Sequence, residues 1–293
     1  MSRLVLRRAS RRLPVPRVTW LYDPRATWAI GAAGDAFGVY DCVDDYAEQA
    51  SGRRNRALVA TSDRDAAAAV RLVFTTTTAL RERHLSTNPS THLVGNAADF
   101  EHFAPAVDRA LAAPSVEELR RPVLGFAGNI IAGKVDLALL AELADHDPKR
   151  TIVLTGPVEA TLATELDDLT ARTNVVWTGP VPYEELPGIV AAFDVGLIPY
   201  AANDYTRNVF PLKLFEYLAA GKPVVATGLP ELKGLEPDVV VAHGLEGVET
   251  AVTSALALSD ETDVARRQKL AAANTWETRT ERLLSLIEDE LRG

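Results

Sequence analysis

The sequence predicts an α/β protein built on two parallel β-sheets that are covered by helices. Short apolar runs of strand length alternate with helical stretches along almost the whole chain, which is the pattern of parallel sheets. The chain has 293 residues, which is long enough for two domains. Its composition, with 47% apolar and 24% charged residues, is typical of a globular protein.

The first domain is predicted over residues 1–103. Its strands are expected at 17–22, 38–42, 72–76 and 91–94, and its helices near 57–69 and 78–82. A complete dinucleotide-type domain has about six strands in two halves. We therefore expect this domain to be incomplete, with its opening half absent.

A linker is predicted over residues 104–121, where prolines and alanines interrupt the apolar pattern. The second domain is predicted over 122–275 and has an early helix near 136–144. Its strands are expected at 122–127, 151–154, 175–178, 195–198, 224–226 and 239–242. The C-terminal segment, 276–293, has leucines and an isoleucine at helical spacing, so one face of this helix should pack against another element.

The most informative segment is 206–227, where a carboxylate lies inside an otherwise apolar helix bounded by proline and glycine. Glu216 needs a partner there. It could pair with Lys213, which is three residues earlier on the same helical face. It could instead accept hydrogen bonds from the hydroxyls of a bound sugar or ribose, while N–H groups at Leu212 and Lys213 bind a phosphate.

The run Pro211-Leu-Lys-Leu-Phe-Glu-Tyr-Leu-Ala-Ala-Gly-Lys-Pro-Val-Val resembles the donor-binding helix of retaining GT-B glycosyltransferases of the group 1, family 4-like type. In that family two glutamates eight positions apart contact the nucleotide sugar, and the second binds the ribose. The resemblance implies this role for Glu216. At the first position the sequence has Asn208, which can hydrogen-bond to a sugar but cannot stabilise positive charge as a carboxylate does.

The resemblance extends from about Thr19 onward and implies the GT-B architecture, in which two Rossmann-like domains face a cleft. The N-terminal domain would be incomplete, because the family's opening strands have no counterpart. The implied reaction is transfer of a hexose from a nucleoside diphosphate sugar to a glycan or lipid-linked acceptor with retention, in the biosynthesis of cell-envelope polysaccharides. The C-terminal helix would cross back to the first domain.

Residues 125–134 join a strand to a helix, and their glycines would let backbone N–H groups approach an anion. A plain tight turn explains the same glycines, whose spacing fits neither a Rossmann fingerprint nor a P-loop. By resemblance, Gly128, Asn129 and Lys134 would face the donor diphosphate. Asn129 stands where many family members have arginine, so Lys213 could be a further phosphate cation.

Two more segments complete the implied donor site. The loop that follows the strand at 175–178 would hold the nucleobase through backbone groups near Val181, and Arg207 could contact a phosphate. Glu184 and Glu185 have a simpler explanation, because the first turn of a helix favours acidic residues.

Three carboxylates, Asp41, Asp44 and Asp45, lie close together at the end of a predicted strand. Capping of a helix by Asp44 or Asp45 would explain them structurally. By resemblance this strand end faces the cleft, so Asp41 or Asp45 would orient a sugar, and Asn208 is the third catalytic candidate. Carboxylates alone could bind a metal. We expect neither metal nor cofactor, because such enzymes generally need no metal and the histidines show no ligand spacing.

The distribution of charge limits the partners. Residues 1–17 hold six of the 31 basic residues and none of the 40 acidic residues, so the rest of the chain is strongly acidic. An acidic body argues against binding to nucleic acid. The basic arm over residues 1–17 could form a helix at a membrane surface, or it could be a solvated helix or a frayed end.

The single cysteine, Cys42, excludes an internal disulfide framework and is interpreted as a small buried hydrophobe. There is no apolar run long enough to span a bilayer and no secretory signal pattern, so the expected location is cytoplasmic, with peripheral membrane contact as an option. Two alternatives to an active glycosyltransferase remain. One is a truncated, non-catalytic protein that keeps a nucleotide-sugar pocket or serves as an interaction domain, and the other is a sugar-nucleotide epimerase.

Overall fold

The computed structural model describes residues 3–50 and 52–292, and the chain divides into two compact units. The first unit contains the chain up to Asn96 together with Asn208–Phe210 and the chain from Arg279 onward. The second unit contains Ala97–Arg207 and Pro211–Thr278. The sequence predicts a first domain that ends at residue 103, whereas residues 97–103 belong to the second unit.

Parallel strands alternate with helices throughout the described part of the chain. The strands are β1 (Val18–Leu21), β2 (Phe37–Cys42), β3 (Leu72–Thr75), β4 (Thr91–Leu93), β5 (Val123–Ala127), β6 (Thr151–Thr155), β7 (Val175–Trp177), β8 (Val195–Pro199), β9 (Val224–Thr227) and β10 (Val239–Val241). The helices are α1 (Arg3–Ser10), α2 (Tyr46–Gln49), α3 (Arg53–Ala69), α4 (Thr78–Leu85), α5 (Phe100–Phe103), α6 (Leu137–His146), α7 (Ala163–Thr170), α8 (Leu186–Ala191), α9 (Lys213–Ala219), α10 (Gly244–Ala257), α11 (Glu261–Ala272) and α12 (Trp276–Arg292). Every strand predicted from an apolar run overlaps an observed strand.

The first unit has a parallel sheet in the order β1-β2-β3-β4. Alternate residues of a strand point to opposite faces, so both faces of this sheet are apolar. On one face Tyr40 and Val73 pack with Ala66 of α3. On the other face Val39, Leu72 and Phe74 pack with Leu283 and Ile287 of α12. The C-terminal helix therefore covers one side of the first sheet.

The second unit has a parallel sheet in the order β10-β9-β8-β5-β6-β7. This is the strand order of a dinucleotide-binding domain, with its topological switch point between β5 and β8. In such sheets ligands bind outside the carboxyl ends of the strands at the switch point. The fold thus indicates a ligand site at the loops that follow β5 and β8.

Two strand glycines of the second sheet make room for aromatic rings. A Cβ atom at Gly125 would lie 2.1 Å from the ring of Phe193, and one at Gly196 would lie 2.3 Å from the ring of Tyr217. Glycine inside a strand commonly marks such a close approach. Gly125 therefore serves packing inside β5, which corrects the expectation that it belongs to an anion-binding turn.

Residues 97–103 join the second unit through backbone contacts and packing. The N–H of Ala98 donates to the carbonyl of Asn274 at 3.1 Å, and Ala98 forms a parallel bridge with Thr275. Phe103 of α5 is fully buried. Local composition gives no sign of these long-range contacts. Among the described residues, none of the helices is both long and apolar enough to cross a membrane.

A buried ion pair fastens α12 to the first sheet. The guanidinium of Arg279 lies 3.2 Å from Oδ1 and 3.3 Å from Oδ2 of Asp41, and its Nε donates to the carbonyl of Gly95 at 3.1 Å. The side chain of Asp41 is fully buried. Burial raises the pKa of the Asp41 carboxyl above its usual value, although Arg279 opposes this effect. A carboxylate there is stable only with its cation.

Arg279→Met should lower the free energy of unfolding by about 3–5 kcal/mol, because it leaves a charged carboxylate buried without its partner. Arg292→Met is the matched control, since Arg292 is an exposed arginine on the same helix and its ion pairs should be worth about 0–1 kcal/mol. Urea denaturation at neutral pH measures both. Equal stability of the two variants would show that the buried pair contributes nothing.

Candidate functional site

The carboxyl edge of the second sheet is formed by loops whose backbones touch one another. The N–H of Gly128, after β5, donates to Thr155 at 2.8 Å, and the N–H of Gly156, after β6, donates to Gly179 at 2.9 Å. A Cβ atom at Gly156 would lie 2.2 Å from the carbonyl oxygen of Gly128. Gly128 and Gly156 have φ values of 147° and 130°, which favour glycine. This edge therefore offers backbone that a ligand can approach closely.

Two lysines converge at the switch point on a buried tyrosine. Nζ of Lys213 donates to the hydroxyl of Tyr200 at 2.9 Å, and Nζ of Lys134 lies 5.1 Å from the centre of the Tyr200 ring. The absence of a side chain at Gly128 accommodates Lys213, because a Cβ there would be 3.0 Å from its Nζ. Neither ammonium forms a salt bridge with any residue that the structure describes.

The two lysines alter the titration of Tyr200. Burial raises the pKa of the Tyr200 hydroxyl, but the positive charges of Lys213 and Lys134 outweigh that effect and bring the pKa below its usual value. The hydroxyl accepts a hydrogen bond from Lys213, and a neutral phenol also has a proton to donate. The two lysines thus concentrate positive charge beside a hydroxyl group. This arrangement suits the binding of an anion.

Helix α9 is held at the end of β5 by Tyr217. The N–H of Ala127, the last residue of β5, donates to the buried hydroxyl of Tyr217 at 2.7 Å. Lys213 and Glu216 belong to the same short helix, so their positions relative to the loop after β5 are fixed by this bond. Leu212 precedes the helix and is exposed.

The Glu216 carboxylate is half-buried and has no internal partner. It forms no salt bridge and no side-chain hydrogen bond within residues 3–50 and 52–292. The pair with Lys213 that spacing permits does not form, because the Lys213 ammonium binds Tyr200 instead. Burial raises the pKa of the Glu216 carboxyl above its usual value, and the charges of Lys213 and His102 oppose the rise. The structure thus leaves a carboxylate ready to accept hydrogen bonds from outside the protein.

Two aromatic side chains, His102 and Tyr183, lie near Glu216. The rings of His102 and Tyr183 stack with their centres 4.6 Å apart, and Nε2 of His102 lies 3.0 Å from the Tyr183 carbonyl oxygen. Burial, followed by the charge of Glu216, raises the pKa of Tyr183 to about 12. Val181 is half-buried two residues earlier in the same loop. Sequence reasoning missed His102 and Tyr183, because only the fold brings α5 to this loop.

Two other predicted donor-binding residues lie on the surface. Asn129 is exposed in the loop after β5. Arg207 is exposed and lies 3.6 Å from Asp204 in a surface ion pair. No described contact joins either side chain to the lysine cluster, so their roles in donor binding stay predictions.

Comparison with known sequences identifies the part of the chain that holds this edge. Residues 121–263 match the sequence family described as glycosyl transferases group 1. Over these residues the chain is similar to that family, and we call residues 121–263 the group 1 domain. All the predicted donor-binding residues lie inside it. The match to this family confirms the resemblance to group 1 glycosyltransferases, and retention stays a prediction.

A curated relative and two solved structures extend the comparison. The putative teichuronic acid biosynthesis glycosyltransferase TuaH of Bacillus subtilis is 29% identical over 193 residues, which cover 63% of this chain and 47% of the relative. The chain thus spans about half the length of that relative. Anabaena HepE, solved in complex with UDP and glucose, has a TM-score of 0.73 at 16% identity over 97% of this chain and 80% of its own. Sucrose-phosphate synthase from Thermosynechococcus elongatus has a TM-score of 0.74 at 14% identity over 98% and 76%.

These likenesses establish the fold. Both solved structures match nearly the whole chain, with TM-scores above 0.7. The predicted α/β fold of GT-B type is therefore confirmed. The strand order of the group 1 domain, with its switch point between β5 and β8, agrees with this assignment.

In the first unit, the carboxylates of Asp41 and Asp45 both have partners within the protein. Asp45 caps α2 by accepting the N–H of Glu48 at 3.2 Å, which confirms the capping interpretation. Its Oδ2 also accepts hydrogen bonds from Arg83 at 2.7 Å and from the Asn208 amide at 2.8 Å. Burial raises the pKa of the Asp45 carboxyl, but these donors outweigh burial and the pKa is lowered. Asp41 is bound by Arg279, and the catalytic roles of Asp41, Asp45 and Asn208 stay predictions.

A cavity of about 550 Å³ lies at the opposite edge of the group 1 domain's sheet, where Pro122 and Asp194 precede β5 and β8. It is lined by Lys222 and three arginines. Burial, followed by the charges of Arg109 and Arg121, lowers the pKa of Lys222 to about 8. Ligands of such sheets bind at the carboxyl ends. This cavity therefore lies apart from the candidate site.

Asn208→Glu should destabilise the first unit by about 1–3 kcal/mol at neutral pH, because it replaces the donor to Asp45 with a second carboxylate. Crowding by Asp45 raises the folded pKa of the introduced carboxyl above its unfolded value. The penalty is therefore present at high pH and is relieved as the pH falls.

Asn208→Gln keeps the amide and is the matched control. Urea denaturation measures the difference in unfolding free energy between the two variants from about pH 8 to pH 5. This pH range covers the usual values of a raised carboxyl pKa. A difference that is absent, or that grows toward low pH, would rule out direct contact between Asp45 and position 208.

Proposed function

We propose that this protein is a glycosyltransferase that moves a sugar from a nucleoside diphosphate sugar to an acceptor with retention. The observation that carries the proposal is the pair of charges on α9. Lys213 binds Tyr200 at the switch point, and Glu216 has no partner among the described residues. The group 1 domain and the likeness to HepE, which was solved with UDP and glucose, support the same reading.

The donor diphosphate would bind at the lysine cluster. The ammonium groups of Lys134 and Lys213 supply two positive charges for two phosphates, and Tyr200 supplies a hydroxyl donor. Gly128 leaves its backbone open to a close approach. These groups would stabilise the negative charge that develops on the leaving diphosphate as the bond to the sugar breaks.

The nucleoside would bind beside Glu216. Its carboxylate can accept charge-assisted hydrogen bonds from the two ribose hydroxyls. The stacked rings of His102 and Tyr183 would pack against one side of the ribose. Backbone groups near Val181 would contact the base. One short helix would thus fix both the phosphate and the ribose, which positions the sugar for transfer.

In the first unit, Asp45 and Asn208 are the candidates for orienting a sugar hydroxyl. Asp45 holds the Asn208 amide at 2.8 Å, so the orientation of that amide is set by the carboxylate. The acceptor would be a glycan or a lipid-linked sugar of the cell envelope. This choice rests on the relative TuaH, whose name refers to teichuronic acid biosynthesis.

Helix α1 would bring the protein to a membrane surface. Leu4 and Val5 are 71% and 52% exposed, and Arg7 and Arg8 lie on the same helix. An amphipathic basic helix binds anionic lipid through apolar insertion and charge attraction. Peripheral contact of this kind would give access to a lipid-linked acceptor.

Glu216→Gln should weaken binding of a nucleoside diphosphate sugar by about 1–3 kcal/mol, because a charge-assisted hydrogen bond becomes a neutral one. Isothermal calorimetry with UDP, GDP and ADP sugars measures this. Glu165→Gln, at an exposed position on α7, is the control and should bind as the unmodified chain does. No heat with any donor would refute the donor site, and unchanged affinity of Glu216→Gln would refute the role of Glu216.

Donor binding should also weaken as the pH falls, starting at a higher pH than an ordinary glutamate would allow. Burial raises the pKa of Glu216, and only its ionised form accepts both ribose hydroxyls. A nucleotide sugar is the suitable probe, because its diphosphate is substituted at both ends and stays ionised in this range. The Glu216→Gln variant should have a flat profile there, and an identical slope in both proteins would contradict the assignment.

The membrane proposal has its own test. The chain should sediment with vesicles of phosphatidylglycerol more than with vesicles of phosphatidylcholine, and Leu4→Ser combined with Arg7→Gln should reduce this binding. Arg64→Gln, an exposed charge change on α3, is the control. Equal binding to both lipids, or no effect of the α1 changes, would exclude α1 as the contact.

A further inference from the structure

Three side chains that can bind a metal meet in the core of the first unit. Cys42 ends β2, Asp63 lies in α3 and His84 lies in α4. Their ligating atoms all lie within 4.8 Å of one another, and all three residues are buried. Spacing along the sequence does not reveal this group, because each residue comes from a different element. The histidines show no ligand spacing along the sequence, and the fold brings one of them, His84, close to a cysteine and an aspartate.

The distances within the group resemble those of a metal site. Sγ of Cys42 lies 3.8 Å from Oδ1 of Asp63, and Nε2 of His84 lies 3.4 Å from Oδ2 of the same carboxylate. With bonds of about 2.0–2.3 Å, two ligands of a tetrahedral zinc ion are about 3.3–3.8 Å apart. The three ligating atoms lie within 4.8 Å of one another, so a single ion would bind Cys42, Asp63 and His84 once the side chains draw together around it.

His84 provides independent support, because its ring leaves a buried atom without a hydrogen bond. The side chain is 2% exposed, and Nε2 has no hydrogen-bond partner in the described part of the chain. Buried polar atoms are almost always paired, so such an exception requires an explanation. The atom lies beside the Asp63 carboxylate, where a metal ion would use its lone pair.

The Asp63 carboxylate is held in place by a residue outside the group. The hydroxyl of Tyr40 donates to Oδ1 of Asp63 at 2.6 Å, and Tyr40 is fully buried. The Tyr40 ring also packs edge to face against His84, with ring centres 6.0 Å apart. Ligating carboxylates and imidazoles in metal sites are oriented by outer partners of this kind.

From this arrangement we infer that the first unit binds one Zn²⁺ ion through Cys42, Asp63 and His84. The donor set of thiolate, carboxylate and imidazole is one that zinc accepts. Calcium and magnesium prefer all-oxygen ligands and are excluded by the sulfur and nitrogen donors. The two negative charges of Cys42 and Asp63 would balance the charge of the ion, so the buried group would be neutral.

Asp63 and His84 also line a cavity of about 540 Å³ whose wall includes Asp45 and Arg83. A water molecule from this cavity supplies the fourth ligand, since three protein ligands and one water form a common zinc arrangement. On binding, the Cys42 thiol gives up its proton to solvent as the sulfur–zinc bond forms. One proton is therefore released for each ion bound.

Titration of the whole chain with Co²⁺ tests the site. Cys42 is the only cysteine, so a thiolate-to-cobalt charge-transfer band can arise from no other residue. We expect this band with one Co²⁺ per chain, accompanied by the strong visible absorption of tetrahedral cobalt. Zn²⁺ should remove the band at an equal stoichiometry, and the chain should release one proton for each ion in weakly buffered solution.

Variants separate the ligands from their surroundings. Cys42→Ser should abolish the charge-transfer band, and His84→Gln should weaken the binding of Co²⁺. Tyr40→Phe should keep the band but weaken affinity about 10- to 100-fold, the effect of losing an outer partner. His243→Gln changes an exposed histidine of the second unit and should leave the titration unchanged.

Folding of each variant is checked by circular dichroism before titration. A folded unmodified chain that gives no charge-transfer band with excess Co²⁺ would overturn the inference, as would a band that persists in Cys42→Ser. If Cys42→Ser fails to fold, the band, the release of one proton and the weakened binding by Tyr40→Phe decide the question. Absence of the band or of proton release then overturns it.

Discussion

The candidate donor site depends on one hydrogen bond, from the N–H of Ala127 to the buried hydroxyl of Tyr217. This bond joins α9 to the last residue of β5. The same tyrosine ring packs against Gly196 in β8, where no side chain would fit. Helix α9 is therefore fixed to both strands that flank the topological switch point, which is where ligands of such sheets bind. The positions of Lys213 and Glu216 follow from this attachment.

The same attachment keeps the charges of Lys213 and Glu216 apart. Lys213 and Glu216 lie three residues apart and could have paired with each other. The hydroxyl of Tyr200 takes the Lys213 ammonium instead, and Lys134 approaches the same ring. A carboxylate that would otherwise be neutralised is left without a partner in the described chain. Two functional groups of opposite sign thus come from one turn of helix, each available to a different part of a nucleotide.

Features that depend on neighbouring residues can be predicted from the sequence, and features that depend on contacts between distant residues cannot. Apolar runs predict the strands, and the local α9 motif predicts the role of Glu216, because both signals lie in neighbouring residues. The bond between Asp45 and Asn208 joins residues 163 positions apart, and the one between Ala127 and Tyr217 spans 90. No local pattern reveals such pairs. For the same reason the sequence shows neither the aromatic group at Tyr183 nor the boundary at residue 96.

Hydrogen exchange with and without a UDP sugar tests the central claim, which is that the donor binds at the carboxyl edge of the group 1 domain. The account predicts slower exchange in residues 128–134, 178–183 and 212–216. Residues 120–121 and 193–194, at the opposite edge of the same sheet, should be unchanged and serve as an internal control. Protection confined to that opposite edge, or none at the three carboxyl-edge segments while the sugar nucleotide is bound, would contradict it.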